Sequence, residues 1–291
     1  MKKNNQYFGL YTKKISTLPN RIIFWGKKMI LNLWRYMNIY KGNRHLDAKY
    51  AILKKPPFFK YKIYLRPTYS DMARVREFYD DIYFNDLNYL NNKIKKIKPS
   101  VLIDLGANIG TASLNLKNHF NSIKLIIAIE ADKQNFSVLK KNFDFWKKLF
   151  KDTKFNAMNF VASCSANNMH RLRKINFSTD KILSSSGSIS FMPVKSGGIQ
   201  SISVNEIVNS IGKNNIIICK IDIEGGEQFL FENNLNWMKK VAFINIEIHD
   251  KYHIDYLNSS TNFLKALVKY DFAIIPNNDI LYCYNRNIIS N

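Results

Sequence analysis

The sequence predicts an α/β fold built on a mostly parallel seven-stranded sheet with helices on both faces and a C-terminal antiparallel hairpin. Three observations carry this. From residue 101 onward, short apolar runs alternate with amphipathic stretches, the signature of strands joined by crossover helices. The first run, "VLIDLGANIG", ends in an acid and two glycines, as a strand does when it turns sharply into a helix. The last two runs, "FAIIP" and "ILYCYN", flank Asn277-Asn278-Asp279, a turn signal that folds them back on each other.

In chain order, the expected strands cover 101–105, 124–130, 154–163, 215–223 and 241–249, followed by the two arms of the hairpin. Helices are expected at about 110–119, over "KQNFSVLKKNFDFW", "SVNEIVNSI" and "GEQFLFENN", and near 260–269. Residues 164–200 are polar and Ser/Gly-rich and read as an irregular hairpin region. Upstream, "KYKIYLRP" alternates like a strand arm. In "SDMARVREFYDDIYF", Ser70 is expected to cap a short helix with Val75, Phe78 and Tyr79 on its apolar face. "NKIKKIKPS" is a charged linker into the main domain.

The chain divides by charge into a basic extension, residues 1–56, and a domain, 57–291. Residues 1–60 hold 14 Lys/Arg against a single acid, Asp47, whereas residues 101–291 hold 22 against 16. A basic front end favours an anionic contact. Lys, Asn and Ile abundance of the kind AT-rich coding produces accounts for part of the charge. Residues 21–41 have a helical period, with Ile22, Trp25, Met29, Leu33, Tyr36 and Tyr40 on one stripe and basic residues beside it. Such a helix can lie on an anionic membrane or pack on its own domain or a partner subunit, and the sequence leaves both open. Cys164, Cys219 and Cys283 are scattered with no CxxC pair, which argues against a zinc site or a disulfide framework and fits a reducing compartment. No signal peptide or spanning segment is visible. A cytoplasmic protein is expected, at the inner face of the membrane if residues 21–41 bind lipid.

Ligands in such a sheet bind beyond the carboxyl ends of the strands. Asp104, Gly106, Asn108 and Gly110 lie at the first strand end. Glu130 closes the second, where a carboxylate can accept both hydroxyls of a ribose. The GxxxG spacing lacks the third glycine of a pyrophosphate site. An acid before the turn suits a cofactor with an amino group and a positive centre. This favours S-adenosylmethionine over a dinucleotide. "KIDIEGGE" places Asp222, Glu224 and Glu227 in a Gly turn at the fourth strand end. Glu247 and His249, two apart on the fifth strand, point to one side. His249 suits proton acceptance near neutral pH, or it is simply a hydrogen-bonded or solvated histidine. Asp222, Glu247 and His249 could also hold a divalent ion.

"RPTYSDMARVREFY", "VLIDLGANIGTASL", "IIAIEAD", "SISVNEIV", "KIDIEGGEQFLF" and "INIEIH" occur in the order seen in FkbM-type methyltransferases, which the chain resembles over about residues 60–285. The resemblance implies a class I methyltransferase Rossmann-like fold. It also implies S-adenosylmethionine as methyl donor and a hydroxyl of a sugar or natural product as acceptor. On it, Asp104, Gly106, Ala107, Asn108 and Gly110 resemble the donor loop, and Glu130 the ribose acid. Ser70 and Asp71 resemble an upstream element near the donor, and Asp222 with the Gly225 turn lies beside the methyl group or acceptor. After the third strand, "FVASCS" offers adenine only Ser163 and backbone groups. Asp222 and His249 are the expected catalytic residues. The expected acceptor is a saccharide or glycolipid, such as a surface polysaccharide precursor. A nucleic-acid substrate is disfavoured, because the chain has neither the [DN]PP[YF] tetrapeptide nor a Pro-Cys nucleophile. A non-catalytic binding module and an NAD-dependent oxidoreductase are the remaining alternatives.

Overall fold

The computed structural model describes residues 51–53, 63–66, 68–80, 92, 94–175, 188–250, 258–277 and 279–289. The expected helix at 21–41 lies outside them. The chain forms two compact units, Met1–Ile63 and Tyr64–Asn291. The first contains β1 (Ala51–Leu53), and the boundary falls within β2 (Ile63–Leu65).

Helix α1 (Tyr69–Asp80) starts one residue before Ser70, so Ser70 is not its cap. Thr68 takes that place: its Oγ1 accepts the Asp71 N–H at 3.3 Å. A capping oxygen must precede the first helical turn to reach its free N–H groups, and Ser70 is already inside that turn.

The main sheet begins with β3 (Val101–Leu105), which turns into α2 (Thr111–His119), and continues with β4 (Leu125–Ile129) and α3 (Lys133–Leu149). Asp132 caps α3, accepting the N–H groups of Gln134 and Asn135. The expected third strand is broken in two. β5 (Lys154–Met158) stays in the sheet, and β6 (Val161–Ser163) leaves it. At the break, Asn159 Nδ2 donates to the carbonyls of Glu130 and Ala131, turning the chain where β4 ends. β6 joins β7 (Met169–Ile175), β8 (Ser188–Val194) and β9 (Ile199–Ser203) in a separate four-stranded sheet, order β6-β9-β7-β8. The polar region is therefore more regular than its composition suggests.

Ser203 caps α4 (Val204–Ser210), and β10 (Ile217–Ile221) follows. The expected helix over 226–234 is a single turn, α5 (Glu227–Leu230), followed by a 3₁₀ helix at Leu235–Lys240. Asn234 adopts a left-handed φ of 56° and donates to the Cys164 carbonyl just before the 3₁₀ helix starts, so the two helical pieces do not run into one. β11 (Val241–Glu247), α6 (Asn258–Lys269), β12 (Phe272–Asn277), β13 (Ile280–Asn285) and α7 (Arg286–Ile289) complete the unit.

The seven strands lie in the order β12-β13-β11-β10-β3-β4-β5. All neighbours from β5 to β11 are parallel, and β13 runs antiparallel to both β11 and β12. The expected hairpin is present. β3 and β10 are buried along their whole length, as strands covered on both faces must be. Val101, Ile103 and Leu105 share one core cluster with Val208, Trp237 and Phe263. The alternate residues of β3 point to the other face, where α2 packs on β3 and α3 on β5. The three cysteines are buried and free. Among the described residues, no helix is long and apolar enough to cross a membrane.

Candidate active site

Two loops meet at the carboxyl ends of the central strands. After β3, the N–H groups of Gly106 and Ala107 both donate to the Ile129 carbonyl, at 2.9 and 3.0 Å. After β10, the Asp222 N–H donates to the Leu105 carbonyl at 3.0 Å. Gly106 has φ +75°, and a Cβ there would sit 1.8 Å from the Asp222 carbonyl oxygen. Only glycine allows the loops to approach this closely. Gly110, φ +91°, starts α2 where a Cβ would press on Leu139 of α3 at 2.8 Å.

The first loop holds the expected donor residues together. Glu130 Oε2 accepts the Asn108 N–H and Oε1 the Asp132 N–H, each at 2.8 Å. Burial pushes the Glu130 carboxyl up to about 7, against the pull of those two N–H groups. Asn108 takes a left-handed φ of 50° to aim its amide there. Asp104 is fully buried, and its Oδ2 accepts the Ser113 hydroxyl at 2.6 Å. Asp104 Oδ1 and Asn108 Oδ1 are buried acceptors without a hydrogen-bond partner among the described residues.

Asp71 and Ser70 sit on α1, beside this loop's supporting helix. Asp71 is fully buried and held by Arg66: the backbone N–H and Nε reach Oδ2 at 2.7 and 3.0 Å, and Nη2 reaches Oδ1 at 2.6 Å. Arg66 Nη2 also donates to Asn135 of α3 at 2.6 Å. Asn142 ties the same segment to the donor loop, bonding Tyr64 through both backbone groups and donating to the Ile109 carbonyl at 2.8 Å. Asp71 thus acts through Arg66, stitching residues 64–71 to the helix behind the loop. Ser163, the expected adenine neighbour, is buried on β6.

Lys220 joins the two loops. In register it lies between Asp104 of β3 and Asn245 of β11. Its Nζ is 3.5 Å from Asp104 Oδ1, 3.5 Å from Asp222 Oδ2, and donates to the Gly106 carbonyl at 2.8 Å. Burial alone would lower its pKa, but Asp222 and Asp104 outweigh burial and raise it. Arg74 of α1 reaches Asp222 at 3.8 Å and Glu77 at 2.7 Å. Burial works against the Asp222 charge, yet Lys220, His249 and Arg74 hold its pKa below the usual carboxylate value.

The structure brings Asp222, Glu247 and His249 together as expected, and adds Glu224 and Glu227. His249 is buried, with Nδ1 2.9 Å from Glu227 Oε1 and Nε2 3.3, 3.7 and 3.8 Å from Glu224, Asp222 and Glu247. Burial opposes its charge, but the Glu227 bond and the other carboxylates raise its pKa to about 10. It therefore carries its second proton at neutral pH and cannot accept another. Glu247 differs: burial, reinforced by Asp222, pushes it up to about 7. Asp222, Glu224 and His249 could hold a cation, each offering one atom within 4.8 Å of the others, with Glu224 in the place expected for Glu247. A metal there would displace the His249 proton.

Beyond the strand ends lies a cavity of about 330 Å³, lined by Arg74, Glu77, Asp222, Asn245, Glu247 and Asp279 together with Lys220, Ile221, Asn277 and Ile280. Arg74 and Lys220 escaped the sequence reading. The signal available for Lys220 was a lysine inside an otherwise apolar strand.

A family model described as the methyltransferase FkbM domain matches residues 104–272. No curated protein matches the sequence. Among solved structures, the chain is similar to a methyltransferase FkbM from Methylobacillus flagellatus KT, at 16% identity and TM-score 0.43, covering 64% of this chain and 44% of that one. It is also similar to a magnesium protoporphyrin IX methyltransferase from Synechocystis PCC 6803 with bound SAM, at 9% identity and TM-score 0.40, covering 93% and 99%. A putative caffeoyl-CoA O-methyltransferase from Staphylococcus aureus matches at 9% identity and TM-score 0.40, covering 74% and 91%.

Proposed function

The chain belongs to the FkbM methyltransferase family, and from that premise we propose that it is an S-adenosylmethionine-dependent O-methyltransferase acting on a saccharide hydroxyl. One observation carries the reading: a single buried ammonium, Lys220, lies 3.5 Å from the acid of the donor loop and 3.5 Å from an acid of the cavity. Donor tip and acceptor cavity are thus adjacent.

The residues present suit the donor. Among the described residues, Asp104 Oδ1 and Asn108 Oδ1 are buried acceptors with no hydrogen-bond donor, Asp104 Oδ1 having only the Lys220 ammonium at 3.5 Å, a state that costs free energy until a donor arrives. The ammonium and the ribose hydroxyls of S-adenosylmethionine are such donors. Asp104 would take the ammonium and Glu130 the ribose. When bound, the cofactor supplies a sulfonium methyl carbon, which a hydroxyl oxygen captures while the C–S electron pair stays on sulfur.

The chain's own residues align the acceptor and take its proton. The cavity mixes carboxylates and amides, which hydrogen-bond hydroxyls, with Ile221 and Ile280, which fit the C–H face of a sugar ring. Glu247 is the base. It lines the cavity and keeps 29% of its side chain exposed, whereas His249 is enclosed and charged and Asp222 is paired with Lys220 and Arg74. Asp222 positions Lys220 and Arg74. Alignment supplies most of the acceleration, with proton transfer adding roughly 10²–10⁴-fold.

The test is methyl transfer from isotope-labelled S-adenosylmethionine to glycans of the host, read by mass spectrometry. Label on a sugar oxygen supports the reading; label on nitrogen, carbon or nucleic acid contradicts it. The basic segment 21–41 would bring the enzyme to an anionic membrane bearing lipid-linked saccharides. Co-sedimentation with anionic vesicles should fall when residues 1–41 are deleted, and equal partitioning contradicts this.

A further inference from the structure

We propose that Lys220 is a positioning residue that keeps the donor's place: its ammonium neutralises Asp104 in the empty site and crosses to Asp222 when the donor's own ammonium arrives. This rests on Asp104 being the acid that takes the donor's ammonium. Asp104 is fully buried, and its Oδ2 accepts the Ser113 hydroxyl at 2.6 Å. Among the described residues, Oδ1 has no hydrogen-bond donor. Lys220 Nζ stands 3.5 Å from Oδ1, close enough to balance its charge and too far to fill its hydrogen-bonding place.

Lys220 is balanced between two acids. Asp104 is its register partner on β3, and Asp222 follows it two residues on. Nζ is 3.5 Å from Asp222 Oδ2 as well, and its hydrogen bond, at 2.8 Å, goes to the Gly106 carbonyl of the donor loop. A move of under about 1 Å brings it to hydrogen-bond length with either acid. Lysine suits such a move, since its flexible stem carries a compact charge with three rotatable donors. A second ammonium on Asp104 Oδ1 would lie against Nζ in a buried setting, where like charges repel far more than in water. Lys220 is itself buried, so Asp222 rather than solvent receives it. Asp222 Oδ2 is also the oxygen that Arg74 reaches at 3.8 Å, and both residues line the cavity. Through this one side chain, the acceptor side registers an occupied donor site.

Calorimetry on the full chain compares S-adenosylhomocysteine with its deaminated analogue, which keeps the adenosine, thioether and carboxylate but lacks the ammonium. The proteins are the wild type, Lys220→Met and Asp222→Asn. The ratio of the two affinities isolates the ammonium from any general damage to the loops. That ratio should rise roughly tenfold or more in Lys220→Met, the scale of one charge-assisted hydrogen bond. It should fall in Asp222→Asn, where Lys220 loses its second acid. In the wild type, the Lys220 ε-carbon NMR resonance should shift with S-adenosylhomocysteine and stay in place with the analogue, a readout that needs no variant to fold. A ratio unchanged in both variants, which would leave Lys220 a structural brace, would overturn the proposal. So would a ratio that falls in Lys220→Met, or an equal resonance shift with both ligands. Binding of both ligands with the wrong ratios removes only this role of Lys220, whereas a wild type that binds neither ligand removes the S-adenosylmethionine reading itself.

Discussion

Replacing Lys220 by Met tests the link between the two loops. The change removes the ammonium and keeps a chain of similar length. Asp104 then stays fully buried with no ion-pair partner among the described residues, while Asp222 keeps 15% of its side chain exposed and still has Arg74 at 3.8 Å. The loss therefore falls mainly on Asp104. Breaking a buried ion pair from one side costs roughly 3–5 kcal/mol. In a unit of this size each kcal/mol moves Tm by about 2–4 °C, so the melting temperature should fall by roughly 6–20 °C. Circular dichroism melts and urea titrations measure both quantities. The double variant Asp104→Asn/Lys220→Met should be more stable than Lys220→Met alone, because no buried charge is left unpaired. A Tm loss under about 2 °C for the single variant, or a double variant less stable than the single, would refute the reasoning.

Gly106→Ala should abolish methyl transfer in a protein that still folds. A left-handed non-glycine residue costs about 1–2 kcal/mol, and the added Cβ would meet the Asp222 carbonyl at 1.8 Å and force the loops apart; a normal rate contradicts this. The wild-type rate should climb as pH rises through about 7, where Glu247 loses its proton. Glu247→Gln should lose that limb and roughly 10²–10⁴-fold in rate, so an unchanged profile would remove Glu247 from the base role. His249 contributes to stability in the opposite sense. Its folded pKa of about 10 lies above its ordinary 6.5, so its contribution is complete below the lower value and is lost as pH rises through the upper one. Urea titrations should show wild-type stability falling across that window and His249→Gln flattening the fall; parallel curves would contradict it.

The strand-helix order and the hairpin were legible because burial on both faces forces apolar runs, and turn chemistry marks their ends. Asp104, Glu130 and Asp222 were legible as polar residues closing such runs. What escaped depends on neighbours that no local pattern names. Lys220 looks like any strand lysine until the register sets it between Asp104 and Asn245. Nothing local to His249 tells that Glu227, 22 residues away, sits on its Nδ1. Only the fold shows both oxygens of Asp71 held by Arg66. The split of β5 from β6 turns on one asparagine side chain, Asn159, bonding the Glu130 and Ala131 carbonyls just past the end of β4.

On the proposed function, the tips of β3 and β4 grip the methyl donor through Asp104 and Glu130. Calorimetry of S-adenosylhomocysteine against the wild-type chain and Glu130→Gln measures it directly. The wild type should bind one molecule per chain, more tightly as pH rises through about 7 and the Glu130 carboxyl ionises. Glu130→Gln should bind weakly at every pH. No heat of binding from the wild type, or equal affinity in both proteins, would show that Glu130 does not hold the donor.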